Sequence, residues 1–243
     1  MSPSELGADE DDHRRGLRAV GVLIALAVAA GLAWMVLPRL LSVAGGPEPE
    51  VLSQLKLAER DLRPMPVPGA DTAFAPSALH FDRISVRIDG ERAIAVATLD
   101  TRGRLGPVEV SSLGRERIAF TRRSGRWQLD GVIAPSLVGA LSALVLRAQL
   151  LDGASADALA VLVAPGDRER VVTDPRLPPI LGTPGHRWQP ERWYLRSERE
   201  GVLATEEALL HRPGRPTEAR AGRLRLLPSA AEGGRFVFEG GVL

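Results

Sequence analysis

The sequence predicts an α+β fold: an N-terminal transmembrane helix followed by two units, each a helix plus an antiparallel sheet. Three observations support this class: an uncharged apolar run near the N-terminus, strand-like alternation of apolar and polar residues, and an apolar helical run near the middle. Hydrophobic residues make up 44% and charged residues 25% of the chain, and the formal net charge is +1. This composition is typical of globular proteins and gives no electrostatic reason to expect nucleic acid as a partner.

The first predicted element is the transmembrane helix. Residues 19–38 contain no charged side chain, and about 20 apolar residues suffice to cross ~30 Å of hydrocarbon. Arginines at positions 14, 15 and 18 precede this run, which favours an N-terminus inside the cell. We therefore expect a cytoplasmic tail at 1–18, a transmembrane helix at 19–41 and a linker at 42–50. The protein would lie in the inner (cytoplasmic) membrane as a single-pass protein.

A cleaved signal peptide is the alternative interpretation of the same segment. Ser42-Val43-Ala44 has the small-x-small form of a cleavage site. The apolar run is longer than the ~7 to 15 residues usual in a signal peptide, which favours the anchor. Both interpretations place residues 45–243 in the periplasm or outside the cell.

The first α+β unit is predicted at residues 51–134. Apolar residues at helical spacing predict a helix from Val51 to Leu62, which three nearby prolines end. Alternation up to the Asp89-Gly90 turn predicts a β-hairpin, and a second strand pair turns at Ser124-Gly125. The expected structure is a meander of about four strands.

The second unit is predicted at residues 135–243. A core helix at 137–151 is expected to begin at the N-cap Ser136 and to stop at Gly153. A shorter helix at 156–163 follows. Strands are predicted near 192–198, 201–211, 220–227 and 235–242.

Three short matches in the same order suggest that the second unit repeats the first. Their offsets are 111, 108 and 109 residues in the printed numbering. The matched segments are 89–95 with 200–204, 114–118 with 222–226, and 125–131 with 234–240. The alternative is two unrelated meanders that share ordinary hairpin chemistry.

The layout of residues 136–243 resembles the nuclear-transport-factor-2-like superfamily of cone-shaped α+β domains. The resemblance lies in the helix from Ser136, the Leu151-Asp152-Gly153 stretch, the segment 157–165 and the antiparallel sheet that follows. Residues 51–133 resemble the same layout less fully. Members of that superfamily include small-ligand enzymes and non-catalytic assembly modules, so the resemblance implies a fold and leaves the function open.

Few side chains in this chain suggest catalysis. There is no cysteine, and the four histidines show no metal-binding spacing. A nucleophile elbow, a phosphate loop and a dinucleotide glycine motif are also absent. We therefore predict no catalytic, cofactor-binding or metal residue and no cofactor. The carboxylates that could serve an acid/base site in a pocket are Asp82, Asp89, Asp100 and Asp130.

Two groups of residues are candidates for an interface or a pocket wall. Aromatic residues mixed with arginine are typical of interface hot spots and ligand pockets. The first group is His186, Arg187, Trp188, Trp193 and Tyr194. The second is Arg122 and Arg123, on a hairpin where arginines could meet an acidic partner or anionic headgroups.

The function expected from these observations is that of a membrane-anchored, non-enzymatic envelope protein that mediates protein–protein interaction or complex assembly. Its partner would be another envelope protein or a second copy of the chain, and not a nucleic acid. The alternative is a membrane-tethered domain that binds a small apolar ligand or carries a carboxylate-based enzyme site.

Overall fold

The computed structural model describes residues 47–153, 155–181, 184–229 and 235–243. The predicted cytoplasmic tail and transmembrane helix, residues 1–41, lie outside these described residues. Within them, no helix is both long enough and apolar enough to span a membrane. Residues 50–243 form one compact unit.

The secondary structure is mixed α and β, as the sequence predicts. The helices are α1 (Pro47–Asp61), α2 (Pro135–Leu151), α3 (Ala156–Ala160), α4 (Arg168–Val172) and α5 (Pro178–Leu181), with a 3-10 turn at Pro165–Asp167. The strands are β1 (Phe74–Asp89), β2 (Arg92–Leu105), β3 (Val108–Arg123), β4 (Arg126–Leu129), β5 (Arg187–Ser197), β6 (Val202–His211), β7 (Glu218–Pro228) and β8 (Phe236–Glu239).

Several boundaries differ from those predicted. Helix α1 begins at Pro47, inside the predicted linker, because proline is favoured in the first turn of a helix. Strand β1 begins at Phe74, soon after the prolines that follow the first helix, where its backbone pairs with Met65. Strand β5 begins at Arg187 rather than near 192.

The two predicted meanders are halves of one eight-stranded sheet rather than two separate sheets. Each half is antiparallel, with order β1-β2-β3 in the first and β5-β6-β7-β8 in the second, and β4 pairs with the end of β3. The halves join where β3 runs parallel to β5, from Glu109–Arg192 to Gly114–Ser197. One edge of β3 therefore pairs with β5 near its start and with β4 at its end.

Helix α1 is fixed to the first half by polar side chains that bind strand backbone. Glu50 accepts a hydrogen bond from the backbone N–H of Trp127 at 3.1 Å, and the amide of Gln54 donates to the carbonyl of the same residue. Glu59 accepts from the N–H of Phe81 at 2.6 Å. These contacts satisfy backbone groups on β4 and β1 that no neighbouring strand pairs.

The start of α2 is capped by a strand residue instead of by Ser136. The N-cap position is Ala134, which makes no side-chain cap. The buried carboxylate of Glu116, on β3, accepts from the backbone N–H groups of Ser136 at 2.8 Å and Leu137 at 2.9 Å. Because a helix start leaves N–H groups unpaired, Glu116 both satisfies them and ties α2 to the sheet.

Burial is the main influence on the charge state of Glu116. It raises the pKa of the carboxyl from 4.5 to about 7, and the hydrogen bonds from Ser136 and Leu137 oppose this rise. Near neutral pH the carboxyl is thus divided between its protonated and charged forms.

The raised pKa of Glu116 predicts that stability falls as pH increases. Between pH 4.5 and about 7 the folded protein holds a proton on Glu116 that the unfolded chain has released. Raising the pH across this range should therefore lower the free energy of unfolding, by up to about 3 kcal/mol, with no further loss above it. Urea unfolding of wild type and Glu116→Gln at pH 5, 6, 7 and 8 measures this. The difference in free energy of unfolding between wild type and Glu116→Gln should change with pH. A difference that is constant from pH 5 to 8 would contradict the prediction.

Candidate functional site

The two tryptophans of the predicted aromatic group are core residues. Trp188 and Trp193 are five positions apart on β5, so regular alternation would place them on opposite faces. A β-bulge between Pro190 and Arg192 shifts the register by one residue. Both tryptophans consequently face the interior and are almost completely buried.

His186 has a structural role at the end of α2. Its ring Nε2 is hydrogen-bonded to the carbonyl of Leu151, the last residue of α2. Next to it, the N–H of Trp188 donates to the carboxylate of Asp152. These bonds attach the start of β5 to the C-terminus of α2 and account for the burial of His186.

The remaining predicted residues are exposed and lie apart. Arg187 and Tyr194 point outward from β5, and the guanidinium of Arg192 stands 5.8 Å from the centre of the Tyr194 ring. Arg122 and Arg123 are exposed at the far end of β3, where it pairs with β4. The structure does not bring the two groups together. An interface role for these exposed residues stays a prediction.

A buried ionic network, which the sequence did not suggest, lies behind the tryptophans. Arg147 and Glu206 are each 2% exposed, and Nη1 of Arg147 is 2.7 Å from Oε2 of Glu206. Oε1 of Glu206 accepts from the indole N–H of Trp193 at 2.9 Å. Nε of Arg147 donates to the carbonyl of Val242, and its guanidinium lies 5.4 Å from the ring centre of Trp188. The network connects α2, β5, β6 and the segment after β8.

The predicted acid/base carboxylates do not form a site. Asp82, Asp89, Asp100 and Asp130 are all exposed. Asp82 accepts a hydrogen bond from the backbone of Arg83, and Asp130 from the hydroxyl of Thr121. No three histidine, aspartate or glutamate side chains of the described ranges are grouped so that they could hold a metal ion.

An apolar depression lies on the first half of the sheet. It is a groove of about 570 Å³ between α1, the proline-rich segment after it and the chain that follows β4. Leu57 on α1 is 45% exposed and Leu129 at the end of β4 is 37% exposed, and both line it. Other lining residues are Ala58, Met65, Leu79, Val132 and Ile133. We call this feature the apolar groove.

A second, smaller cavity lies on the other half. It has a volume of about 300 Å³ and borders the buried ionic network, with Arg147, Trp188 and Glu206 in its wall. Arg176, Arg212 and Arg220 also line it. We call it the arginine cavity.

Comparison with known proteins gives little guidance on function. No protein-family model matches this sequence. No curated protein matches it. Among solved structures, the chain has a weak resemblance to an Ntf2 like protein involved in plasmid conjugation, with 8% identity and a TM-score of 0.33. That alignment covers 69% of this chain and 76% of the other.

The buried pair Arg147–Glu206 predicts strong energetic coupling. Arg147→Met should lower the free energy of unfolding by about 3 kcal/mol or more, because it leaves the charge of Glu206 buried without its ionic partner. Adding Glu206→Gln should recover part of that loss, since the buried charge is then removed as well. Urea unfolding of both single variants and the double variant measures the coupling.

The matched control is the exposed pair Arg225–Glu239, which is 2.8 Å apart with side chains 47% and 41% exposed. The same cycle there should give little coupling, because water screens exposed charges. Equal coupling at the two pairs would contradict the role assigned to the buried network.

Proposed function

We propose that this protein is a membrane-tethered, non-enzymatic envelope protein that binds an apolar segment of another envelope protein in the apolar groove. The observation that carries the proposal is a groove lined mainly by apolar side chains, two of which are partly exposed leucines. Exposed apolar side chains grouped in one groove are a feature of interaction sites.

The shape of the groove favours a protein segment over a small ligand. A pocket for a small molecule encloses most of its ligand's surface. Here Leu57 and Leu129 remain exposed at the rim, so only a partner that extends beyond the groove would cover them. An amphipathic helix, whose apolar side chains recur every three or four residues, has the required form.

Charges at the rim support an apolar rather than an ionic contact. The side chains of Asp61 and Arg63 line the groove and are 3.3 Å apart, so they neutralise each other. Binding would therefore depend on burial of the leucines and on shape, with little dependence on salt.

The membrane tether is supported by the sequence. The uncharged run at 19–38 is long enough to cross a bilayer, and the arginines before it favour an N-terminus in the cytoplasm. With this topology the apolar groove would face the periplasm or the cell exterior, where envelope proteins are the available partners.

Site-specific photo-crosslinking in cells tests the proposal. A photoreactive residue at position 57 or 129 of the full-length chain should give the same heterologous adduct, recovered from the membrane fraction. Position 113 is the control, since Leu113 is 54% exposed and lies outside the groove. It should not give that adduct.

Affinity measurements with the captured partner then test the groove directly. Leu57→Asp and Leu129→Asp should each weaken binding at least about tenfold, because a charge replaces a leucine that becomes buried on binding. Leu113→Asp should leave the affinity unchanged. Adducts only between copies of this chain, recovery outside the membrane fraction, or equal weakening by all three substitutions would reject the proposal.

A further inference from the structure

The arginine cavity exists because a glycine takes the place of a side chain on the inner face of the sheet. Trp193, Glu206 and Gly222 are directly paired across β5, β6 and β7, so all three share one face. Trp193 and Glu206 fill their positions in the interior. A Cβ atom built on Gly222 would meet no atom within 4 Å, so the space above it is open.

Two residues that line the cavity each carry a buried N–H donor without a hydrogen-bond partner. These donors are Nε1 of Trp188 and Nε of Arg212, and neither bonds to any atom of the described residues. The Trp188 side chain is almost completely buried and that of Arg212 is 10% exposed. Because an unpaired buried donor is costly, two such donors on residues of one cavity favour a bound acceptor.

The charge in the cavity wall favours an anionic acceptor. Four arginines line it: Arg147, Arg176, Arg212 and Arg220. Three carboxylates pair with them: Asp174, Glu206 and Glu218. Among these side chains positive groups thus outnumber negative ones, and both Arg212 and Arg220 depend on the single carboxylate of Glu218.

The arginines of the cavity differ in exposure, so most of the accessible positive charge lies at its more exposed side. Arg147 is held at the bottom by Glu206, whereas Arg176 and Arg220 are 61% and 47% exposed. Arg212 follows the inward-facing Leu210 by two residues and so continues the inner face of β6. Ile180 and Pro179 provide an apolar wall.

We propose that the arginine cavity binds a small organic anion. The indole N–H of Trp188 and Nε of Arg212 donate hydrogen bonds to an oxygen of its carboxylate or phosphate group. Arg176 and Arg220 supply positive charge at the more exposed side, and the apolar part of the ligand packs against Ile180. This site is on the other half of the sheet from the apolar groove and does not depend on the groove's function.

Calorimetric titration of the full-length protein in detergent tests the site. The probes are inorganic phosphate, benzoate and, as a neutral analogue, benzyl alcohol. Benzoate or phosphate should bind and benzyl alcohol should not. Tighter binding of benzoate would identify an organic carboxylate ligand, and tighter binding of phosphate a phosphate-bearing one.

Three variants test whether the anion binds in the arginine cavity or is only attracted by positive charge elsewhere on the protein. Trp188→Phe keeps the ring but removes the donor, and should weaken anion binding about tenfold. Gly222→Leu should abolish binding because its side chain extends from an unobstructed Cβ position into the cavity. Arg225→Gln is the control, since Arg225 is on the opposite face of β7 and should leave binding unchanged.

Three results would overturn the proposal. Absence of binding by either anion up to tens of millimolar would mean that water alone occupies the cavity. If Trp188→Phe binds the anion as tightly as wild type, the anion binds elsewhere. The same follows if Arg225→Gln loses as much affinity as Trp188→Phe. Thermal unfolding of each variant confirms that it remains folded during the titration.

Discussion

Six residues of β3, Glu109–Gly114, hold the two halves of this protein in one sheet by pairing in parallel with β5. The pairing ends at a very close approach between two backbones. A Cβ atom on Gly114 would lie 2.2 Å from the carbonyl oxygen of Ser197, and the φ angle of Gly114 is +151°. Only glycine fits this position. Two residues further on, Glu116 caps α2, so one short stretch of β3 orients both the second sheet half and its main helix.

Gly114 in the first half and Gly222 in the second lie at matched positions of the sequence but have different surroundings. In the first half Gly114 is paired with the buried Leu99, and in the second half Gly222 is paired with the buried Glu206. These two glycines are the first residues of the matched segments 114–118 and 222–226. Gly114 is required by the approach of Ser197, whereas Gly222 has open space above it. Gly114 thus lies at the junction of the halves and Gly222 beside the arginine cavity, and the apolar groove and the arginine cavity lie on different halves.

Local patterns in the sequence predict the strands and the main helix, because alternation and helical spacing can be recognised within a few consecutive residues. Contacts between distant residues were not predictable in this way. The parallel pairing of β3 with β5 joins segments about 80 positions apart, and it has no local signal. Glu116 caps a helix 20 positions later, and Arg147 is 59 positions from Glu206. Composition draws attention to Trp188 and Trp193, but it does not reveal the bulge that puts both in the core.

We expect the two halves to fold as one cooperative unit, because β3 and β5 join them in one sheet. Native-state hydrogen exchange of the full-length protein, at increasing denaturant below the unfolding transition, tests it most directly. The amides of β2 and β6, each in the middle of one half, should converge on the same opening free energy and the same dependence on denaturant. Exchange of β6 through an opening that leaves β2 protected would show that the halves unfold separately, and it would contradict this account.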